Sequence, residues 1–127
     1  MRIARVYTGD DGRSHFEDIE VATPTETDLG SRSADFPVAS LVMMETVASD
    51  EMDFHPAPRR QFVIPLSGVM ELECGDGTKR QFAPGEIFLA DDTTGQGHIL
   101  RSVTVPRSSI VVPVGEGFEL DALRADE

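Results

Sequence analysis

The chain has 127 residues, and its 23 acidic side chains outnumber the 11 basic ones, giving a formal net charge of −12. This length is typical of one domain that can bury a hydrophobic core without disulfides or metals. The charge argues against nucleic acids and anionic membranes as partners, because binding them requires clustered lysine and arginine. The single cysteine, Cys74, cannot form an internal disulfide, and residues 1–10 lack the apolar stretch of a secretory leader. We therefore expect a cytoplasmic protein.

Short extended segments dominate the chain from its start. Residues 1–7 and 14–21 have strand-like patterns and are separated by turn-forming residues, which predicts two strands. Residues 22–37 contain two prolines and few apolar side chains, which predicts a long surface loop. Residues 118–127 could form a short helix or fray. Turns such as 48–53 and 105–107 separate the remaining strand segments, which are 41–47, 61–66, 69–74, 80–83, 86–90, 98–105 and 109–114.

The close spacing of these strands predicts an all-β sandwich or barrel, with residues 1–127 forming a single domain. In residues 69–74 the alternation places Met70, Leu72 and Cys74 on one face, as in an antiparallel sheet with one face in water. Cys74 is then most simply a small core residue. Pro65 interrupts an apolar run, so we expect its strand to lie at a sheet edge or to contain a bulge.

The stretch that begins at His55 holds the most distinctive pattern in the chain. It reads His-x-Ala-x3-Gln-x6-Gly, with Ala57, Gln61 and Gly68 at the fixed positions. This resembles the first motif of the cupin family, Gly-x5-His-x-His-x3,4-Glu-x6-Gly. The sequence departs from that motif at Ser49, Ala57 and Gln61, where the family has glycine, histidine and glutamate.

A second segment resembles the second cupin motif, Gly-x5-Pro-x-Gly-x2-His-x3-Asn. Pro84 and Gly85 open a strand as in many cupins, and His98 follows two residues later than the motif places its histidine. The position of the final asparagine holds Ser102. Sixteen residues separate Gly68 from Gly85, which resembles the short spacing of compact bacterial cupins.

The resemblance implies a cupin-type double-stranded β-helix, a jelly-roll barrel that encloses a pocket. The core of the barrel would cover about residues 38–114, with strands in 1–21 and the loop 22–37 packed on it and a short C-terminal tail or helix. Small cupins are often homodimers joined through edge strands. Residues Met1–Tyr7 are a candidate for that seam, because an exposed edge strand is otherwise open to unwanted pairing.

The resemblance also implies the position of a metal site. Metal-binding cupins hold their ion with three histidines and a carboxylate, but here Ala57 and Gln61 replace one histidine and the carboxylate. The set His55, Gln61 and His98 would hold zinc, nickel, iron or copper only weakly, since losing ligands lowers affinity. The alternative is a polar pocket without a metal.

Two arginines precede the strand that begins near Gln61. If the chain is already extended at Pro58, Arg59 has the same parity as Gln61 and faces the pocket, while Arg60 faces outward. An inward guanidinium would bind a carboxylate or a phosphate. The alternative is pairing with surface carboxylates, which we prefer for Arg60 and leave open for Arg59.

Three functions are compatible with these residues. The first is binding of a small organic acid by Arg59, Gln61, His55 and His98, with one histidine as general base for isomerase, cyclase or lyase chemistry. The second is a metal-dependent oxygenase that uses the reduced His/Gln/His set. The third is a non-catalytic ligand-binding or interaction protein, since this fold supports many functions.

Other polar residues have simpler interpretations. His15, in the sequence SHFED, is expected to pack at the surface or at an interface. Asp91 and Asp92 begin the sequence DDTTGQG, where aspartate side chains commonly cap turns.

Overall fold

The computed structural model describes residues 1–49 and 51–125, and these residues form a nearly all-β chain, as predicted. Within them the only helix is α1 (Leu120–Leu123). No helix in this part of the chain has the length and apolar character needed to cross a membrane. The strands are β1 (Arg2–Thr8), β2 (Ser14–Glu20), β3 (Thr25–Thr27), β4 (Gly30–Arg32), β5 (Val42–Thr46), β6 (Met52–His55), β7 (Gln61–Ser67), β8 (Met70–Cys74), β9 (Lys79–Phe82), β10 (Phe88–Asp91), β11 (His98–Ser102) and β12 (Arg107–Pro113).

The strands form two main sheets and one small hairpin. The larger sheet has the order β2-β1-β10-β7-β12-β5, and the smaller has the order β6-β11-β8-β9. Strands β1 and β10 are parallel, while the other pairs are antiparallel. Among the residues described, no ladder joins an edge of one main sheet to the other, so the two sheets do not form a closed barrel, and the expected cupin-type jelly roll stays a prediction.

The main hydrophobic core lies between the inner faces of the two sheets. Alternation along β8 buries Met70, Leu72 and Cys74 and leaves Glu71 and Glu73 partly exposed, which confirms the predicted pattern. Strand alternation therefore decides which residues enter the core. The cluster combines residues of both sheets, namely Ala4, Val6, Val63, Phe88, Ala90 and Val111 from the larger and Met70, Leu72, Cys74 and Phe82 from the smaller.

A second cluster covers the outer face of the larger sheet. Ile3, Ile19 and Leu89 point to this side and pack with Phe118 and Leu123 from the C-terminal segment. Helix α1 has only four residues and no side-chain cap, so burial of Leu123 must hold it in place. Of the two alternatives given for residues 118–127, a short helix or a frayed tail, the structure shows the short helix, and residues 126 and 127 lie outside the described ranges.

Two segments differ from their predicted structure. Residues 22–37, predicted as a loop, contain the exposed hairpin β3–β4. Residues 48–53, predicted as a turn, lead into β6, which begins at Met52 and pairs with β11 (residue 50 of this segment is outside the described ranges). These three strands have only three or four residues each, too few for a recognisable local pattern, so their pairing depends on the strands beside them.

The positions of two strands within the larger sheet also bear on the predictions. Strand β1 lies between β2 and β10 rather than at an edge, so residues Met1–Tyr7 cannot form the expected dimer seam through a free edge. Pro65 lies in β7, an interior strand between β10 and β12. The register against β12 shifts between Ser108 and Ser109, next to the partner of Pro65. The bulge that we gave as one alternative is therefore confirmed.

Candidate functional site

A cavity of about 430 Å3 opens between strands of the two sheets; we call it the central cavity. Its volume lies within the range of about 300–1,000 Å3 that is usual for small-molecule sites. The wall is mainly apolar, with a few polar side chains. The polar residues that line it are Thr46, His55, Gln61, His98, Arg107 and Ser109, and the apolar residues include Met44, Met52, Ala57, Met70, Phe88 and Leu100.

The three residues predicted from the motif, His55, Gln61 and His98, all line this cavity. Strand β11 places His98 directly opposite His55 on β6, and the ring centroids are 5.0 Å apart with an interplanar angle of 51°. Gln61 is the first residue of β7, in the opposite sheet. The structure therefore brings the residues together, while their roles in binding or catalysis stay predictions.

Hydrogen bonds define the tautomer of both histidines. His55 Nδ1 lies 2.7 Å from the main-chain oxygen of Asp53, which can only accept, so this nitrogen carries the proton. His98 Nδ1 lies 2.5 Å from Oδ2 of Asp92 and donates to that carboxylate. Neither Nε2 atom has a hydrogen-bond partner among the described residues. In the neutral form of each ring, Nε2 is then free to accept a proton or a ligand group.

Asp92 is a residue whose importance the sequence did not show. It was expected to cap a turn, but its side chain is fully buried and holds the ring of His98. Its other oxygen, Oδ1, is also buried, and no described residue donates a hydrogen bond to it. An unsatisfied buried acceptor costs about 1–3 kcal/mol, so this arrangement is unfavourable for stability alone. The only sequence signal was its place just after β10 and six residues before His98.

Arg107 is the second residue that the sequence analysis missed, because residues 105–107 were interpreted as a turn. It is the first residue of β12, and alternation places it on the same buried side as Ser109 and Val111. That alternation could have revealed it. The side chain is 7% exposed, and its Nε donates to Oγ of Ser102 at 2.8 Å. An added Cβ at Gly68 would overlap the Cβ of Arg107, which explains the glycine that ends the first motif.

The charge of Arg107 is not balanced by any carboxylate that the structure describes. No acidic side chain of the described residues forms an ion pair with it. Burial lowers the pKa of the guanidinium, because removal from water disfavours the charged form. A buried, unpaired cation in a cavity wall is suited to receive an anionic group.

The inward orientation expected for Arg59 is not seen. Arg59 is exposed and does not line the central cavity. The parity argument fails because β7 begins only at Gln61, so the preceding residues are not in regular strand conformation. Arg60 pairs with Asp91, its Nε lying 2.6 Å from Oδ1, so it pairs with a carboxylate as we preferred, but this carboxylate is largely buried rather than at the surface.

The donor set does not fit the metal centre that the resemblance implied. His55 and His98 supply two imidazoles, but Gln61 is a neutral amide, and the carboxylate of Asp92 is engaged by Nδ1 of His98. In residues 1–49 and 51–125, no group of three His, Cys, Asp or Glu side chains is arranged to hold a metal ion. We therefore derive no chemical step through a metal.

Two titratable groups outside the cavity wall have perturbed environments. His15 lies between Asp11, at 2.9 Å, and Asp76, at 3.1 Å. The hydrogen bond to Asp11 and, to a smaller extent, that to Asp76 raise its pKa against the opposing effect of burial. Burial raises the pKa of the Cys74 thiol to about 12, so this cysteine is a core residue and not a nucleophile.

No family model and no curated protein matches the chain. Among solved structures, protein NMB1881 from Neisseria meningitidis is similar with a TM-score of 0.48 and 12% identity, covering 66% of this chain and 87% of the other. The conserved SPY1581 protein of unknown function from Streptococcus pyogenes is similar with a TM-score of 0.47 and 15% identity, covering 92% of this chain and 77% of the other. Neither similarity assigns a function.

Proposed function

We propose that the chain is a cytoplasmic cupin that binds a small organic acid in the central cavity and catalyses proton transfer on it. Reactions of this class are isomerisations, cyclisations and eliminations. The observation that carries the proposal is the pair His55 and His98. Both rings have Nδ1 engaged and Nε2 free at the wall of a mainly apolar cavity.

His98 is the better general base of the two. The carboxylate of Asp92 fixes its ring with the proton on Nδ1 and stabilises the imidazolium that forms when Nε2 accepts a proton. Asp92 acts through His98 and is therefore a positioning residue. In an isomerisation, the proton taken from one carbon of the ligand returns to another, so the reaction needs no oxidant or reductant.

The apolar wall strengthens this chemistry. Side chains such as Met70, Phe88 and Leu100 leave few sites for water, and the lower local polarity increases the interaction between a bound anion and the polar groups. The same wall limits the ligand to a small molecule with an apolar part.

Solvent exchange tests the proposal. Small carboxylic acids with a C–H group next to the carboxylate are incubated with the protein in D2O, and deuterium incorporation is followed by NMR. We expect exchange with the wild type, a loss of at least about 10²-fold in His98→Gln and a marked loss in Asp92→Asn. His15→Gln, a histidine outside the cavity, is the matched control and should keep the wild-type rate. An acid that binds saturably without exchange or conversion would instead support a non-catalytic binding protein.

Metal analysis tests the oxygenase alternative. Protein purified without chelators or a histidine tag is compared with His55→Ala and His98→Ala. Because the donor set lacks a free carboxylate, we expect equal metal content in all three proteins. Stoichiometric iron, nickel, copper or zinc that disappears in both variants would support the metal-dependent oxygenase and contradict our assignment.

We also propose that the chain forms a homodimer, through β5 instead of β1. Within the described part of the chain, strand β5 is at the edge of the larger sheet and pairs with β12 alone, and Met43 on it is 77% exposed. Two copies of this edge can pair antiparallel around a two-fold axis. Met43→Glu should shift the mass measured by light scattering from dimer to monomer. Leu29→Glu, at a fully exposed position beside the β3–β4 hairpin, should remain dimeric, and an unchanged dimer in Met43→Glu would contradict this seam.

A further inference from the structure

We infer that Arg107 is the receptor for the carboxylate of the ligand, and that the ligand is a monocarboxylic acid with an aromatic body. This inference rests on the proposed function of the central cavity and names the class of acid that it binds. It also assigns to Arg107, which lines the cavity and packs against Gly68, the role that the sequence had suggested for Arg59.

The position of Arg107 is unusual for a structural arginine. The side chain is more than nine-tenths buried, yet within the described residues its single polar side-chain partner is the hydroxyl of Ser102. Arginine in a protein interior is normally paired, because the desolvation of its charge is otherwise uncompensated. An anion that enters the cavity would supply the missing partner.

The terminal nitrogens of Arg107 have no hydrogen-bond partner among the described residues, because the hydrogen bond to Ser102 uses Nε. Arg107 is also part of the wall of the central cavity. A carboxylate in the cavity can form with these nitrogens the two parallel hydrogen bonds that its geometry favours.

The charge of the wall indicates how many negative charges the ligand carries. Arg107 is the sole lysine or arginine among the residues that line the cavity, which all lie in the described part of the chain. One guanidinium balances one carboxylate, whereas a phosphate dianion would keep an uncompensated charge in a mainly apolar space. A monocarboxylate therefore fits better than a phosphate ester.

The apolar wall indicates the body of the ligand. Met44, Met52 and Met70 line the cavity together with Phe88. Methionine side chains adapt their shape and make favourable contacts between sulfur and aromatic rings. Phe88 adds the ring–ring contacts that aromatic groups prefer. An aromatic ring is thus the apolar group that this wall contacts best.

Calorimetric titration with matched probes tests the inference. Phenylacetate carries the proposed charge, phenylacetamide has nearly the same shape without it, and phenyl phosphate carries the alternative anion. We expect phenylacetate to bind the wild type at least about tenfold more tightly than the other two probes. Arg107→Met should weaken the binding of phenylacetate by at least about tenfold and leave the affinity for phenylacetamide unchanged. Arg107→Lys should have an intermediate effect on the affinity for phenylacetate. Arg59→Met should behave as the wild type, because Arg59 is outside the cavity.

A third variant separates this inference from the proposed function. Ala57 is buried in the cavity wall, so Ala57→Phe should occupy the cavity and remove binding of the acid and the amide alike. If the wild type binds phenylacetate and phenylacetamide equally well, and Ala57→Phe binds neither, the role of Arg107 is overturned. The cavity would then still be the ligand site. Tighter binding of phenyl phosphate would overturn the choice of a monocarboxylate. Absence of binding by all three probes to the wild type would overturn both proposals. Urea unfolding of each variant confirms that it is folded.

Discussion

Replacing Arg107 by methionine should stabilise the protein when no ligand is bound. Methionine keeps most of the apolar stem that packs at the start of β12. It removes the guanidinium of a residue that is 7% exposed and that has no carboxylate partner among the described residues. The desolvation of such an ion costs several kcal/mol. Loss of the charged hydrogen bond to Ser102 offsets about 1.5–3 kcal/mol of that gain. We therefore expect a net increase of about 1–2 kcal/mol in the free energy of unfolding.

Urea unfolding at 25 °C, followed by circular dichroism, measures this change. For a chain of 127 residues, the increase corresponds to about 4–8 °C in the midpoint of thermal unfolding. The urea dependence of the unfolding free energy should stay constant, so that a shift of the midpoint reports stability alone. The exposed control Arg59→Met should remain within about 0.5 kcal/mol of the wild type. A loss of stability in Arg107→Met would refute the reasoning, because the guanidinium would then be well compensated without an anion.

Three further outcomes follow from the structure. Gly97→Ala should lower the free energy of unfolding by at least about 2–3 kcal/mol, because Gly97 has a positive φ and an added Cβ would overlap the backbone of His55. The control Gly77→Ala, at a similar φ but in open space, should lower it by only about 1 kcal/mol. Cys74 should not react with a thiol reagent in the native protein and should react fully in urea, because burial raises its pKa to about 12; rapid native labelling would contradict this. The hydrogen bonds of His15 raise its pKa, so their stabilisation is complete below the ordinary value of 6.5 and is lost as the pH rises through the folded-state pKa. His15→Gln should therefore be less stable than the wild type at pH 5–6, with a smaller difference at pH 8–9, and an equal difference at both would exclude this linkage.

Local patterns predicted part of the candidate site. His55 and Gln61 belong to one short chain segment, so their spacing could be recognised without knowing the fold. Both residues line the cavity together with His98. The orientation of Arg59 was not predictable in the same way. It depends on where β7 begins, and sequence patterns leave the ends of strands uncertain by several residues.

The sequence by itself determined the all-β class, most of the strands and the faces that they bury. The reason is that alternation along a strand is a local property, as in β8, and it needs no knowledge of the partner strand. It also determined that Cys74 is a core residue.

The tertiary structure alone decided which strands are neighbours and which polar groups are left unpaired. Strand β1 is interior because β10, about eighty residues later in the chain, pairs with it in parallel. Asp92 reaches His98 across the loop between β10 and β11. Arg107 is buried by the packing of the two sheets, and no carboxylate of the described residues pairs with it. Burial and pairing of charges are properties of the assembled core, so the contact of Asp92 with His98 was visible only there, whereas strand alternation could have placed Arg107 on a buried face but could not show how its charge is paired.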